Sequence, residues 1–111
     1  MMLDFTAIAT QLAKEMLRKN LILATAESCT GGWIAEVATA IAGSSDWFDC
    51  GFVTYSNDAK QRMLGVRAYT LECYGAVSEN TVREMAEGAL LNSNALVSVA
   101  TSGIAGPAGG T

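Results

Sequence analysis

Histidine is absent from this chain of 111 residues. Its absence excludes the serine–histidine–aspartate and cysteine–histidine arrangements of nucleophilic catalysis, and zinc sites built on imidazole, unless a partner chain contributes a side chain. The three cysteines, Cys29, Cys50 and Cys73, are spaced too widely for a C-x-x-C metal or redox motif. Reduced thiols fit this spacing best, and the sequence predicts no metal site.

Positive charge is also scarce. The chain has 7 Lys and Arg against 11 Asp and Glu, a formal net charge of −4, and no basic cluster that would bind nucleic acid or an anionic membrane. The N-terminus lacks the uninterrupted apolar stretch of a signal peptide, and no run approaches the length of a membrane span. We therefore expect a cytoplasmic protein whose partner is a small molecule, with neither nucleic acid nor a membrane as a partner.

Hydrophobic residues, in contrast, make up 50% of the chain, and only 16% of its residues are charged. This composition predicts a compact domain with a sizeable core. No linker, internal repeat or charge block divides the chain, so residues 1–111 are interpreted as one domain.

The apolar pattern alternates between helical and strand-like periods. Helices are predicted at about 4–19 with a stop at Asn20, from Trp33 to Gly43, from a cap at Ser56 or Asn57 to Gly65, after Thr70, and after a cap at Ser78. Strands are predicted at about 21–26, 48–55 and 95–100. This order predicts an α/β fold, a three-layer sandwich with a largely parallel sheet and helices on both faces.

The stretch 26–32, Ala-Glu-Ser-Cys-Thr-Gly-Gly, lies where the first strand gives way to a helix. In parallel α/β proteins this junction brings side chains and free N–H groups to one sheet edge, where they can hold an anion or a nucleophile. Ser28 and Cys29 are the candidate nucleophiles, and only one should face substrate because adjacent residues leaving a strand point apart. The N–H groups around Thr30, Gly31 and Gly32 are candidates for an oxyanion or phosphate site.

The chain closes on a glycine-rich loop, residues 101–111, that follows the last predicted strand. Its glycines, among them Gly103 and Gly106 after Ser102, would let main-chain N–H groups approach a ligand closely. The loop matches neither a Walker A nor a G-x-G-x-x-G motif. Since an α/β domain seldom ends on such a loop, we expect a C-terminally truncated domain that self-associates or belongs to a longer polypeptide, and that alone has poor activity.

Four ordered motifs resemble the CinA C-terminal-domain family. They are Ala-Glu-Ser-Cys-Thr-Gly-Gly at 26–32, Val-Thr-Tyr-Ser-Asn with Ala-Lys at 53–60, Tyr-Gly-Ala-Val-Ser at 74–78, and Ser-Gly-Ile-Ala-Gly-Pro-Ala-Gly-Gly at 102–110. The resemblance covers about residue 6 to residue 111. It implies the activity characterised in that family, deamidation of nicotinamide mononucleotide, and a domain that continues beyond the glycine-rich loop.

Amide hydrolysis needs a nucleophile, a base and an oxyanion site, and without histidine the base must be a lysine, a carboxylate or a tyrosine. The resemblance implies Ser28 as nucleophile and Lys60 as base, which requires partial desolvation because a lysine with the usual pKa of about 10.4 is protonated. The Tyr55 hydroxyl could bridge the two. Cys29 is the rival nucleophile, and Glu27 either orients Lys60 or faces solvent.

With this resemblance, the sequence predicts a cofactor-independent amidohydrolase that converts nicotinamide mononucleotide to nicotinate mononucleotide and ammonia through an acyl-enzyme. Cys29 to Gly32, Ser102, Gly103 and Gly106 would bind the substrate. The alternatives are a non-catalytic module that binds a nucleotide or phosphate through the same loops, and an interaction domain acting in DNA uptake or stress. Ammonia release distinguishes the first hypothesis, and ligand binding without turnover distinguishes the second from the third.

Overall fold

The computed structural model describes residues 4–104. Along this part of the chain helices and strands follow one another as α1 (Thr6–Arg18), β1 (Leu23–Glu27), α2 (Trp33–Thr39), β2 (Phe48–Val53), α3 (Asn57–Leu64), α4 (Ala68–Tyr74), α5 (Glu79–Leu91) and β3 (Val97–Thr101). None of these helices is long and apolar enough to cross a membrane.

The three strands form a parallel sheet in the order β2-β1-β3. In the register of this sheet, Glu27 at the end of β1 lies beside Val53 of β2 and Thr101 of β3. The carboxyl ends of all three strands therefore meet at one edge, directly before Ser28. The predicted parallel α/β architecture is confirmed.

Each face of the sheet has its own apolar core, because successive residues of a strand point to opposite faces. Ala24 and Ala26 of β1 pack on one face with residues of α3 and α5, namely Leu64, Met85 and Ala89. Leu23 packs on the other face with Ala13, Met16, Ala38 and Trp47. Helices thus cover both faces. Because side chains alternate along β1, the position of a residue in this strand decides which face its side chain reaches.

Several predicted boundaries shift by a few residues. The helix predicted to reach Gly43 ends at Thr39. Beyond Ala40, the N–H groups of Ile41 and Ser44 bond three residues back, to the Ala38 and Ile41 carbonyls, which is a tighter winding than the α-helix has. The helix expected after Thr70 begins at Ala68.

The predicted helix caps are confirmed. The Ser56 hydroxyl accepts the Ala59 N–H at 3.0 Å, and the Ser78 hydroxyl accepts the Thr81 N–H at 3.1 Å, so each satisfies a donor that the first helical turn leaves unpaired. Asn20, the predicted stop of α1, has a positive φ of 55°. Local sequence signals therefore determine where these helices begin and end.

Close packing of α5 on α3 depends on Gly88. A Cβ atom at this position would lie 1.9 Å from the Leu64 carbonyl oxygen, so the two helices could not approach this closely with any other residue there. Lys60 and Leu64 are four residues apart and are both buried, as neighbours on one helical face. The contact at Gly88 therefore holds the helix that carries Lys60 against α5, which itself packs on β1 and β3.

Candidate active site

Ser28 is held at the sheet edge by its own main chain. Its N–H donates to the Thr101 carbonyl at 3.1 Å, and its carbonyl accepts the Gly31 N–H at 3.1 Å. Its side chain is 6% exposed and lies on the same side of the sheet as Ala24 and Ala26, toward α3. The nucleophile candidate thus has a fixed backbone and a hydroxyl directed at one helix.

Lys60 of α3 meets that hydroxyl. Its side chain is 1% exposed, and its Nζ lies 2.9 Å from Ser28 Oγ. The same Nζ lies 3.0 Å from the Thr54 carbonyl oxygen and 2.9 Å from that of Tyr55. The structure therefore brings the predicted nucleophile and the predicted base together, although they are 32 residues apart in sequence.

These three partners orient the amine. Main-chain carbonyls can only accept hydrogen bonds, so the Thr54 and Tyr55 carbonyls take two N–H groups of Lys60 whether or not the amine is charged. A neutral amine then has its lone pair left for the third partner, Ser28. The arrangement can therefore accept the proton of the Ser28 hydroxyl.

Burial favours the neutral form of this amine. It lowers the pKa of Lys60 from its ordinary value of 10.5, and the nearby Cys29 acts on this pKa in the opposite direction with a smaller effect. The neutral fraction of Lys60 near pH 7 is thereby larger than that of an exposed lysine.

This lowered pKa predicts the pH dependence of activity. A neutral Lys60 is required to accept a proton, so kcat/KM should rise with pH and level off above the pKa of Lys60, with a midpoint below 10.5. A pH–rate profile of amide hydrolysis measures this midpoint. The Cys29→Ala variant should keep the rising limb, whereas loss of the limb in that variant would assign it to the thiol.

Tyr55 contributes its main chain and not its hydroxyl. Its side chain is 71% exposed, while its carbonyl oxygen lies 2.9 Å from Lys60 Nζ and 3.4 Å from Ser28 Oγ. Within residues 4–104 the Tyr55 hydroxyl does not form the predicted bridge between Ser28 and Lys60. The preceding residue, Thr54, is fully buried, and the Tyr55 side chain therefore points to the opposite side, away from the site. The carbonyls of Thr54 and Tyr55 were missed, since the side-chain identities that a sequence displays say nothing about main-chain acceptors.

Glu27 neither orients Lys60 nor faces solvent, the two expectations from sequence. Its side chain is 1% exposed, and its carboxylate accepts the N–H groups of Ile34 at 2.9 Å and Ala35 at 3.0 Å. It also accepts the Thr30 hydroxyl at 2.6 Å. Burial by itself would raise the pKa of Glu27, but these hydrogen bonds to the carboxylate outweigh it and lower the pKa, so the residue is ionised near neutral pH.

The donors predicted for an oxyanion or phosphate site are therefore partly engaged. The Gly31 N–H is bound to the Ser28 carbonyl, the Thr30 hydroxyl donates to Glu27, and the start of α2 is capped by Glu27. The main-chain N–H groups of Cys29 and Thr30 have no hydrogen-bond partner within residues 4–104. The Gly32 N–H interacts with the Glu27 carboxylate, so the N–H groups of Cys29 and Thr30 are the donors of this stretch that stay available to a substrate.

The described start of the glycine-rich loop lies beside Cys29. A Cβ at Gly103 would lie 3.5 Å from Cys29 Sγ, whereas Ser28 contacts Lys60, so the two adjacent side chains reach different surroundings. The Ser102 hydroxyl donates to the Ala76 carbonyl at 2.7 Å and ties the loop to the turn after α4. Gly106, also predicted to bind substrate, lies outside the described residues.

The fold and the site define a class of protein: a parallel α/β protein with a buried serine–lysine pair at the carboxyl edge of its sheet. The family model of the CinA C-terminal domain matches residues 5–111. This chain belongs to that family.

Curated relatives include enzymes. The chain is 55% identical over 108 residues to the nicotinamide-nucleotide amidohydrolase PncC of Escherichia coli K12, an alignment that covers 97% of this chain and 66% of the relative. It is 50% identical over 106 residues to the enzyme of the same name from Pseudomonas putida, with 96% and 66% covered. The chain thus spans just under two thirds of the length of these relatives.

Solved structures show the same fold. The competence/damage inducible protein CihA from Agrobacterium tumefaciens superposes with a TM-score of 0.93 at 51% identity, over 100% of this chain and 69% of that one. A CinA superfamily protein from E. coli gives a TM-score of 0.93 at 39% identity, over 96% of this chain and 62% of that one.

Proposed function

We propose that this chain carries the catalytic serine and lysine of an amidohydrolase that deamidates nicotinamide mononucleotide. The observation that carries the proposal is the 2.9 Å contact between Lys60 Nζ and Ser28 Oγ, in which two main-chain carbonyls leave the amine lone pair for the serine. The substrate is proposed from the nicotinamide-nucleotide amidohydrolases that are 50–55% identical to this chain.

In the first half of the reaction, Lys60 takes the proton of Ser28 as Oγ attacks the carboxamide carbon. The carbonyl oxygen becomes negatively charged, and the N–H groups of Cys29 and Thr30 are the donors proposed to stabilise it. When the tetrahedral intermediate collapses, the C–N bond breaks and Lys60 returns its proton to the leaving nitrogen. Ammonia departs, and an ester on Ser28 remains.

Water completes the reaction. Lys60 accepts a proton from the water that attacks the ester carbon, and then returns a proton to Ser28 Oγ as the C–O bond to the serine breaks. The sum is one amide and one water converted to a carboxylic acid and ammonia. These steps need no redox agent, and the enzyme is regenerated with a neutral Lys60.

The proposal is tested by measuring ammonia release with the full-length natural protein. We expect ammonia and nicotinate mononucleotide in equal amounts from nicotinamide mononucleotide, and none from glutamine at the same concentration. The E. coli enzyme PncC serves as a parallel standard. Binding of the nucleotide without ammonia release would contradict the proposal and favour a non-catalytic binding module.

A further inference from the structure

We propose that Glu27 is a positioning residue for Ser28: its carboxylate holds together the strand end, the turn and the helix start that surround the nucleophile. The inference rests on the proposed function for its kinetic consequence, but not for its structural basis. Glu27 touches neither Ser28 Oγ nor Lys60 through its side chain, so it acts through the shape of the junction.

The carboxylate connects segments on both sides of the nucleophile. Glu27 is the last residue of β1, and its two carboxylate oxygens reach across residues 28–32 to the N–H groups of Ile34 and Ala35 at the start of α2. These N–H groups would otherwise be unpaired donors of a helix terminus, and a negative charge is favoured at that end of a helix. The capping contact therefore fixes α2 relative to the strand that precedes Ser28.

Thr30 extends the connection to the neighbouring strand. Because its hydroxyl donates to the Glu27 carboxylate at 2.6 Å, the 3.0 Å contact with Thr101 Oγ1 must have Thr101 as the donor. This path of hydrogen bonds runs from Thr101 of β3, through Thr30 in the turn, to Glu27 at the end of β1. Ser28 lies inside this path, with its own N–H and carbonyl already bound to Thr101 and Gly31.

Loss of the carboxylate should loosen this turn. In Glu27→Gln the amide keeps one acceptor oxygen but places an NH₂ group where the second oxygen stood. It therefore cannot accept all three of the hydrogen bonds from Thr30, Ile34 and Ala35. A displacement of about 1 Å at a reacting atom can lower a rate on the order of 100-fold. The 2.9 Å distance between Ser28 Oγ and Lys60 Nζ would not stay within hydrogen-bonding range after such a displacement.

A direct electrostatic effect of Glu27 on Lys60 is the competing explanation. Glu27 and Ser28 are consecutive residues whose side chains lie on opposite faces of the sheet, Glu27 at α2 and Ser28 at α3. Burial is the main cause of the lowered pKa of Lys60, and Glu27 is not among its causes. A positioning role therefore predicts that Glu27→Gln lowers kcat without moving the midpoint of the pH–rate profile.

The experiment compares Glu27→Gln with Glu36→Gln in the natural full-length polypeptide. Glu36 lies exposed in the first turn of the same helix, so its variant removes an equal charge without touching the partners of Glu27. We expect Glu27→Gln to lower kcat roughly 10- to 100-fold, with KM changed less than about 2-fold and the pH midpoint unchanged, and Glu36→Gln to behave as wild type. A shifted midpoint, or equal kcat in both variants, would overturn the inference.

Two further measurements test the positioning role if Glu27→Gln is unfolded or if no ammonia is released. If Glu27→Gln does not fold, Thr101→Val removes the hydroxyl that contacts Thr30 and should lower kcat, while Thr101→Ser retains the hydroxyl and should restore kcat. Failure of Thr101→Ser to restore kcat would contradict the positioning role. The rate at which a fluorophosphonate labels Ser28 reports its reactivity without the nucleotide, so slower labelling in Glu27→Gln would support the inference even where no ammonia is released.

Discussion

Ser28→Ala is expected to lower kcat by at least about 10⁴-fold, because the variant lacks the atom that forms the acyl-enzyme. Substrate affinity should stay nearly unchanged, since the attacking atom contributes mainly in the transition state. Lys60 Nζ keeps its two carbonyl partners, Thr54 and Tyr55, so the variant should fold. Ammonia release and equilibrium binding of nicotinamide mononucleotide measure the two effects separately.

The matched variant for this test is Cys29→Ala, which removes the neighbouring nucleophile candidate. Cys29 lies half-buried against Gly103 and makes no hydrogen bond to Lys60 in the described part of the chain. We therefore expect Cys29→Ala to retain most of its turnover. Near-wild-type turnover in Ser28→Ala together with an inactive Cys29→Ala would assign the nucleophile to Cys29.

Lys60→Arg is expected to lower kcat by on the order of 10³-fold or more, although it retains a positive charge. A guanidinium is protonated at all accessible pH values and cannot accept the serine proton. Its planar group also does not match three partners arranged around one nitrogen at 2.9–3.0 Å. Steady-state kinetics should show the loss in kcat at every pH, with no rising limb.

The control for this substitution is Lys19→Arg, which makes the same exchange at an exposed lysine after α1 and should leave activity unchanged. Circular dichroism and the thermal midpoint show whether Lys60→Arg is folded. Substantial activity in a folded Lys60→Arg variant would mean that Lys60 acts only as a cation, and the base assignment would fail.

The burial of Lys60 supports the proposed base chemistry in a chain without histidine. A lysine in water is a poor base near neutral pH because almost all of it is protonated. Inside this fold the amine loses solvation, which lowers its pKa, and the two carbonyls still satisfy its N–H groups. The same packing of α3 against α5 at Gly88 that stabilises the fold thus places the proposed base.

A sequence signal for the burial of Lys60 was present but weak. Lys60 precedes the apolar residue Leu64 by four positions, which places both on one face of a helix. However, a lysine in a short polar helix is more often solvated, so spacing alone does not distinguish the two states. The structure distinguishes them, because both residues of this face are buried.

The sequence alone determined the features that depend on residues close together in the chain. They are the α/β order of the elements, the strand-to-helix junction at Ser28, a helix start at Ser56 or Asn57, and the cap at Ser78, and they arise from hydrophobic periodicity and from hydrogen bonds between near neighbours. The family motifs identified Ser28 and Lys60 as candidates. Only the tertiary structure decided the 32-residue contact between them, the use of the Thr54 and Tyr55 carbonyls instead of a tyrosine hydroxyl, and the burial of Glu27. Each of these depends on which side of a strand faces which helix. In a parallel sheet this orientation is determined by the pairing of strands that are far apart in the chain.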